Sequence, residues 1–370
     1  MLKGLGKQQR PKNNYNNIHY GFYVSDETKR LTEALGGEYF DAGEVRLNPC
    51  QIYRSDIDAA TKKTKEAQSL KTNLVKMRLV FGLAENIAFD SPLMTTAKRV
   101  FNDGYRAYMA SHGLEESKIT QYAAEQYPVY SDILDYAKQE YNKLKESFAK
   151  QSMYELINKL ESFITESGTI FNQKSTFDFY NKKLVTFNME NLVKSDISTY
   201  NAQYYNLYTA AFSEAVRVGQ REKYLFDRRQ KRVDELIYSN ITSDEFHNPI
   251  RTQNKELLKA LDRYNREGRK LLIGQTYILH DIADAFPDYN NGVMGEISQI
   301  VVTYRFLFKQ DESSEELLRK VFGNQLSPYD IADIIGFEER DILLNIKGAK
   351  NIKFRYGLSD TEKKIFDGGL

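Results

Sequence analysis

Short apolar stretches alternate with amphipathic segments along much of the 370-residue chain. Helical spacing is clear in TKRLTEALGG, where the pair Gly36-Gly37 marks a helix end. Strands that alternate with helices favour an α/β fold built on a doubly wound, mostly parallel sheet. Five stretches have the length and the β-branched or aromatic content of buried strands: IHYGFYVSDE, KLVTFNME, LIYSNITSDE, LLIGQTYIL and QIVVTYRFLF.

The pattern changes between about residues 55 and 165, where nothing has the composition of a strand. We therefore predict an all-helical insertion at 55–165 between two parts of the α/β core, residues 1–54 and residues 166–370. The prediction depends on apolar residues that recur at steps of three and four, namely Leu70, Leu74, Met77, Phe81, Met153, Leu156, Ile157, Leu160 and Phe163.

The segment DILLNIKGAKNIKFRYGL near the end of the sequence has two strand-like halves around Gly348. A glycine between two such halves predicts a β-hairpin. We expect this hairpin to add antiparallel strands at one edge of the parallel sheet.

The overall charge of the chain is close to zero, with 52 Lys+Arg against 51 Asp+Glu. Net charge therefore does not indicate a nucleic-acid partner, although a local patch could. The single cysteine, Cys50, excludes an internal disulfide, fits a reducing compartment and is interpreted as a small buried residue. No apolar run approaches the roughly 20 residues of a membrane span and no signal peptide is visible, so we expect a cytoplasmic protein.

A pair of carboxylates follows the predicted strand in IYSNITSDEFHN. Asp244 and Glu245 would lie at the carboxyl end of that strand, where open α/β sheets bind ligands. There the first acid suits Mg²⁺, which prefers hard oxygen ligands, and the second can polarise an attacking water. The alternative for the pair is an ordinary turn after a strand, and His247 is interpreted as a polar loop residue.

Three cations, Arg266, Arg269 and Lys270, stand at a predicted helix end in NREGRK. Guanidinium groups bind phosphate in a planar, bidentate way, so an arginine here could reach the nucleotide of a neighbouring subunit. The alternative is a favourable charge at a helix C-terminus. In the next strand, Gln275 or His280 could sense a γ-phosphate or orient water, and for each the alternative is an ordinary core or edge residue.

A basic segment, RVGQREKYLFDRRQKR, occupies residues 217–232 and is opposed only by Glu222 and Asp227. It could contact DNA phosphates or a partner subunit, and the alternative is a solvated helical face. Its cations are Arg217, Arg221, Lys223, Arg228, Arg229, Lys231 and Arg232.

The first ten residues, MLKGLGKQQR, contain ingredients of a phosphate-binding loop, namely Gly4, Gly6 and Lys7. Gln8 stands where such a loop needs Ser or Thr, and no intact G-x-x-x-x-G-K-[ST] occurs in the sequence.

Taken in order, these segments resemble the motor domain of the conjugal-transfer, type IV secretion ATPases of the VirB type, in the HerA–FtsK branch of RecA-like P-loop motors. Asn188 stands where the family has an aspartate, and the family's Thr-Gln sensor falls on Leu279-His280, so we favour His280 as the sensor. The segments that carry the resemblance are YGFYVSDETKRLTEALGGEYFDAGEVRLNP, KLVTFNMENL, SDEFHN, REGRK and YGLSDTEKKIF.

The resemblance implies an ATP hydrolase that uses Mg²⁺. Asp244 would hold the metal, Glu245 would activate water, Lys270 would lie near the nucleotide, and Arg269 or Arg266 would reach across a subunit interface. It also implies a hexameric ring at the inner face of the cell membrane, with other type IV secretion components and DNA as candidate partners.

The resemblance also changes the interpretation of the first residues. Residues 2–9 would form the helix that follows a missing P-loop, with a groove beside Met1 that faces Asp244. Three hypotheses result: a motor ATPase truncated before its Walker A loop, a catalytically inactive scaffold subunit of the same complex, and a DNA-translocase-like subunit that binds DNA through residues 217–232.

Overall fold

The computed structural model describes residues 16–54, 58, 63–251, 255–285 and 303–360. The chain forms two compact units, each built from two stretches of sequence. The first unit contains the described residues up to Thr242 together with Glu267–Thr276, and the second contains Ser243–Arg266 together with the described residues from Tyr277 onward.

A five-stranded sheet organises the first unit. Its strand order is β2-β3-β1-β4-β5, and β3 pairs in parallel with both β1 and β2. This order confirms the predicted α/β fold with a mostly parallel sheet. The strands are β1 (Ile18–Tyr23), β2 (Glu38–Asp41), β3 (Leu184–Asn188), β4 (Ser239–Ser243) and β5 (Ile273–Tyr277).

Strand β1 lies in the interior of the sheet, and all six of its residues are buried. This explains why its sequence is nearly continuous in apolar and aromatic residues, as expected for a strand covered on both faces. Phe22 stacks on Phe187 of β3 and meets Tyr204 edge-on, both at 5.4 Å between ring centroids.

Helices account for most of the remaining chain of the first unit. The periodicity predicted above is confirmed, because the apolar residues spaced by three and four are buried on α2 and α5. Helix α2 packs along α7, which is 31 residues long. The helices are α1 (Thr28–Ala34), α2 (Glu66–Ala84), α3 (Pro92–Ser111), α4 (Tyr130–Lys143), α5 (Ser147–Phe171), α6 (Glu190–Ser195) and α7 (Ile197–Asp227).

The second unit contains a separate antiparallel sheet of order β6-β7-β8. Its core is formed by α11, α12 and one face of β7, with Leu318, Ile334 and Leu343 nearly or fully buried. Its elements are α8 (His247–Arg251), α9 (Lys255–Gly268, which extends two residues into the first unit), α10 (Ile282–Ala285), β6 (Tyr304–Leu307), α11 (Glu315–Phe322), α12 (Pro328–Gly336), β7 (Asp341–Ile346) and β8 (Ile352–Arg355).

The hairpin around Gly348 forms as predicted, but its expected place at an edge of the parallel sheet is wrong. Strands β7 and β8 pair antiparallel, and β7 pairs on its other side with β6, which the sequence placed among the strands of the parallel core. The physical reason is the apolar inner face of β7, which is covered by α11 and α12 within the second unit.

Several sequence predictions lie outside the described residues. These are the helix at residues 2–9, the groove beside Met1 and the end of the closing motif YGLSDTEKKIF. The three-part division at residues 54 and 165 stays a prediction. Within the described residues, no helix combines the length and the apolar character that a bilayer crossing requires.

Candidate functional site

The turn that carries Asp244 and Glu245 begins where β4 ends, at Ser243. Two backbone hydrogen bonds attach this turn to the chain that follows β5: Ile278 N donates to Ser243 O at 2.9 Å, and Phe246 N donates to Ile278 O at 3.0 Å. The acids therefore stand at the carboxyl end of β4, as the sequence predicted.

Glu245 has a left-handed backbone conformation, with φ +49°. Residues other than glycine seldom adopt this region, and they do so when the surrounding structure holds them there. The neighbouring Phe246 supplies such a restraint, because it is buried and its ring stacks on Tyr277 at 4.0 Å. Tyr277 in turn donates a hydrogen bond to Asn265 Oδ1 at 3.0 Å.

The carboxylate of Glu245 lies between two imidazoles. Its Oε2 is 3.0 Å from His247 Nδ1, and its Oε1 contacts His280 Nε2. Glu245 and His247 are largely buried, with side-chain exposures of 16% and 12%, whereas His280 is 75% exposed. The structure therefore brings together one predicted water-activating acid and the favoured sensor residue, and it adds His247, which the sequence placed in a polar loop.

Asp244 is half-buried beside Glu245. Carboxylate oxygen suits Mg²⁺, and nucleotide enzymes often hold this ion through only one or two carboxylates, with phosphate oxygens and water completing the shell. Within the described part of the chain, no group of three or more acidic, histidine or cysteine side chains is arranged as a metal site. Asp244 is thus compatible with an ion that arrives with a nucleotide, and the assignment of the metal to this residue stays a prediction.

Asp281, which directly follows His280, has a structural task that the sequence analysis did not identify. Its Oδ1 accepts a hydrogen bond from Ala283 N at 2.8 Å and another from Ser314 Oγ at 3.4 Å. The chain leaving His280 is therefore tied to the short helix α10 and to the loop before α11.

The three predicted phosphate-binding cations have different surroundings. Arg266 lies in the last turn of α9 and donates to Asp262 Oδ2 at 2.8 Å, which agrees with the alternative of a favourable charge at a helix C-terminus. Arg269 and Lys270 are exposed in a single helical turn after α9. Neither has an ion-pair partner among the described residues, so both remain available to an external anion.

A glycine on α7 fixes the position of the chain just after Lys270. A Cβ placed on Gly219 would lie 1.9 Å from the carbonyl oxygen of Leu271, so only glycine allows this approach of helix and turn. Leu272, the next residue, has φ +60° and leads into β5. The turn that carries the exposed pair Arg269-Lys270 is therefore followed directly by a residue that is closely packed against α7.

Gln275 lies on β5, where its side chain is directed at α7. Tyr208, which is fully buried, donates a hydrogen bond to Gln275 Oε1 at 2.6 Å. Because this amide oxygen is engaged inside the first unit, the contact favours the structural alternative for Gln275.

Four of the seven cations of the basic segment at residues 217–232 pair with acids inside the segment or close to its ends. Arg217 binds Glu214 through two hydrogen bonds, and Lys231 Nζ lies 2.6 Å from Glu222, a buried carboxylate. Lys223 and Arg232 pair with Asp227 and Asp234. These pairs reduce the positive charge that the segment could offer to DNA phosphates.

Asn188 and Cys50, two further positions singled out by the sequence, have structural surroundings. Asn188 Oδ1 accepts a hydrogen bond from Glu190 N at 2.8 Å at the start of α6. Cys50 is buried, and this burial raises the pKa of its thiol well above the usual value. The interpretation of Cys50 as a small buried residue agrees with this environment.

Comparison with known proteins shows a fold that is already known. No family model matches the chain. An uncharacterized protein of Bacillus anthracis is 22% identical over 378 residues, and the match covers 94% of this chain but 56% of that protein. The chain therefore spans little more than half the length of this curated relative.

Solved structures identify the fold class. The chain resembles VirB4 of Thermoanaerobacter pseudethanolicus with a TM-score of 0.74 and 15% identity, over 98% of this chain and 86% of that structure. It resembles the conjugative coupling protein TrwB, in a crystal form with sulphate, with a TM-score of 0.50 and 7% identity over 94% and 86% of the two chains. The chain thus has the RecA-like fold of VirB4, as the resemblance in its sequence implied.

Proposed function

We propose that this chain is the motor ATPase domain of a conjugative type IV secretion system. In this proposal it couples ATP hydrolysis to the transfer of DNA or protein, or to assembly of the transfer machine. The observation that carries the proposal is the position of Glu245, a largely buried carboxylate at the carboxyl end of β4 in a VirB4-like fold. Such a group can take a proton from the water that attacks a phosphoryl group.

The remaining residues of the proposed site have distinct tasks. Asp244 holds Mg²⁺, and Lys270 and Arg269 bind phosphate oxygens of the nucleotide. Arg269 is favoured over Arg266 as the arginine that reaches a neighbouring subunit, because Arg266 is already paired with Asp262. His280 is favoured over Gln275 as the sensor, because it contacts Glu245, whereas Gln275 is bonded to Tyr208.

The proposed assembly is a hexameric ring at the inner face of the cell membrane, together with other components of the secretion machine. DNA is a candidate partner of the ring. The exposure of Arg269 supports a ring, because a subunit that donates an arginine to its neighbour needs that side chain free.

The proposal is tested by the substitution Glu245→Gln. ATP turnover is measured for the 370-residue chain and for a version that carries a glycine-rich phosphate-binding loop added before Met1. We expect the added loop to permit hydrolysis and Glu245→Gln to lower the turnover at least about 100-fold, because the amide cannot accept the proton from water. The exposed Glu316→Gln is the control, and equal turnover in the Glu245→Gln and parent proteins would contradict the assignment.

A second candidate is a catalytically inactive scaffold subunit of the same machine. In this candidate the subunit works without a phosphate-binding loop, the element that supplies the backbone N–H groups and the lysine that bind phosphates in motor ATPases. Calorimetry of the unaltered chain with ATP and Mg²⁺ separates the candidates. Tight binding would dismiss the scaffold. Weak binding by the unaltered chain is expected under both candidates, so the scaffold is favoured only if the loop-bearing protein binds ATP without hydrolysing it.

A further inference from the structure

We infer that His247 is a positioning residue, which holds the carboxylate of Glu245 in the orientation needed to receive a proton. The inference rests on the proposed function and assigns a further residue to the same site. Its basis is the position of two imidazoles on either side of the Glu245 carboxylate. The two imidazoles differ sharply in burial, since His247 is largely buried and His280 is exposed.

The first observation is that His247 Nδ1 is enclosed and has Glu245 as its polar neighbour. This nitrogen is buried and makes no aligned hydrogen bond within the described residues, while Glu245 Oε2 lies 3.0 Å away. Leaving a buried polar atom without a partner is unfavourable, so the two groups gain free energy by aligning with each other. For Nδ1 to donate to the carboxylate, the imidazole must carry a hydrogen on that nitrogen.

The second observation is that the backbone keeps the two side chains together. Glu245 and His247 flank Phe246, whose N–H is bonded to Ile278 O and whose ring stacks on Tyr277. Asn248 N donates to Glu245 O at 3.0 Å, which closes the turn at the start of α8. The left-handed conformation of Glu245 thus becomes part of the arrangement that places its carboxylate next to the imidazole two residues later.

The third observation assigns different tasks to the two histidines. The exposure of His280 leaves it room to move away from Oε1 when water enters, whereas the largely buried His247 stays beside Oε2. During hydrolysis the water gives its proton to Glu245, its oxygen bonds to the γ-phosphorus, and the bond to the leaving ADP breaks. A carboxylate held at Oε2 keeps Oε1 in one orientation through this step, which avoids the rate loss that misplacement by about 1 Å causes.

Two substitutions of His247 separate positioning from packing. In His247→Asn the amide nitrogen is bonded to Cγ, as Nδ1 is in histidine, so the variant keeps an N–H donor at the same place. His247→Leu keeps a branched side chain but has no donor. In the loop-bearing protein, we expect His247→Leu to lower kcat about tenfold with KM within about twofold, and His247→Asn to retain most of the turnover. Similar kcat values for Leu, Asn and the parent would overturn the inference, and so would equal losses for both variants.

A spectroscopic measurement tests the contact without any turnover. The chain has four histidines, so the ¹⁵N signals of the imidazoles can be assigned by single substitutions. Glu245→Gln should shift the Nδ1 signal of His247 and leave His112, an exposed residue of the first unit, unchanged. An unmoved His247 signal overturns the inference even if hydrolysis depends on Glu245, whereas a shifted signal in a protein without turnover supports the contact and contradicts only the proposed function.

Discussion

In the first unit, β1 lies inside the five-stranded sheet and all six of its residues are buried. In the second unit, β8 forms an edge of the three-stranded sheet and all four of its residues are exposed. The first sheet is buried on both faces. Aromatic side chains on one face contact one another and α7, and on the other face Thr186 Oγ1 of β3 lies 2.9 Å from Thr32 Oγ1 of α1. The second has one packed face, and on the other face large apolar residues such as Tyr304 and Phe306 remain 61% and 45% exposed.

This difference predicts how each unit responds to sequence change. A residue enclosed on all sides leaves a cavity when it is shortened, whereas a residue at an exposed edge leaves space that water fills. The same contrast applies to charge, because a buried ammonium group loses its hydration and an exposed ion pair retains it. Three experiments probe the comparison, beginning with the largest expected effect.

The first experiment compares one phenylalanine from each sheet. Phe187 on β3 is fully buried, with ring centroids 5.4 Å from Phe22 and 5.6 Å from Phe177. We expect Phe187→Ala to lower the free energy of unfolding by about 3–5 kcal/mol, as is usual for a phenylalanine removed from a core. Phe354 on β8 is 37% exposed, and Phe354→Ala should cost about 1 kcal/mol or less.

Urea denaturation followed by far-ultraviolet circular dichroism measures the first loss, because the long helices α2 to α5 and α7 belong to the first unit. Amide hydrogen exchange on β7 and β8 measures the second. Equal losses of stability for the two variants would show that the β6-β7-β8 sheet is covered on both faces in solution. The contrast drawn between the two sheets would then be wrong.

Most of the long helices and most strands could be predicted from the sequence. Period-three and period-four spacing indicated helices, and short stretches with β-branched or aromatic residues indicated β1, β3, β4 and β5. Strand β2 was missed, because its sequence, EYFD, is only four residues long and has an acid at each end. The pairing of the hairpin was missed for a different reason, since alternation along a strand specifies which face is buried but not which strand lies beside it.

The candidate site was predictable only in part. Asp244 and Glu245 were found because carboxylates at the end of a strand have a chemical meaning. The approach of His247 and His280 to Glu245 was not found, because it depends on a left-handed residue and on hydrogen bonds between segments about 30 residues apart. The one local signal was Phe246, an apolar residue between two polar ones, which indicates that the turn is anchored.

The second experiment concerns Lys76, a buried charge on α2 of the first unit. Its ammonium group donates to Gln51 O at 2.9 Å and lies 4.5 Å from the Tyr53 ring centroid. Burial lowers the pKa of Lys76 from its usual 10.5 to about 7. Between these two values the unfolded chain binds more protons than the folded chain, so the free energy of unfolding rises with pH.

From pH 7 to pH 9 the contribution of Lys76 should be on the order of 2 kcal/mol, measured by urea denaturation at each pH. Lys76→Met should remove this rise and raise the stability at pH 7, whereas Lys71→Met, on the exposed side of the same helix, should leave the rise in place. A rise that persists in Lys76→Met would show that another group is responsible.

The third experiment concerns an exposed charge pair on the second sheet, where we expect the smallest effect. Arg355 on β8 donates from Nε to Asp341 Oδ1 on β7 at 2.7 Å. The hydrogen bond from this guanidinium lowers the pKa of Asp341 from 3.8 to about 2. Since the folded-state pKa is depressed, the stabilisation is present above pH 3.8 and is lost as the pH falls through about 2.

Arg355→Gln should return the pKa of Asp341 toward its usual value, as measured by ¹³C NMR of the carboxyl group. It should change the stability at neutral pH very little, because water and salt screen exposed pairs and the side chains lose entropy when they are held together. Lys320→Gln on α11 is the control, since it breaks a different surface pair. A large loss of stability in Arg355→Gln at pH 7 would mean that the exposed edge depends on this pair, and that the contrast between the two sheets is smaller than their burial indicates.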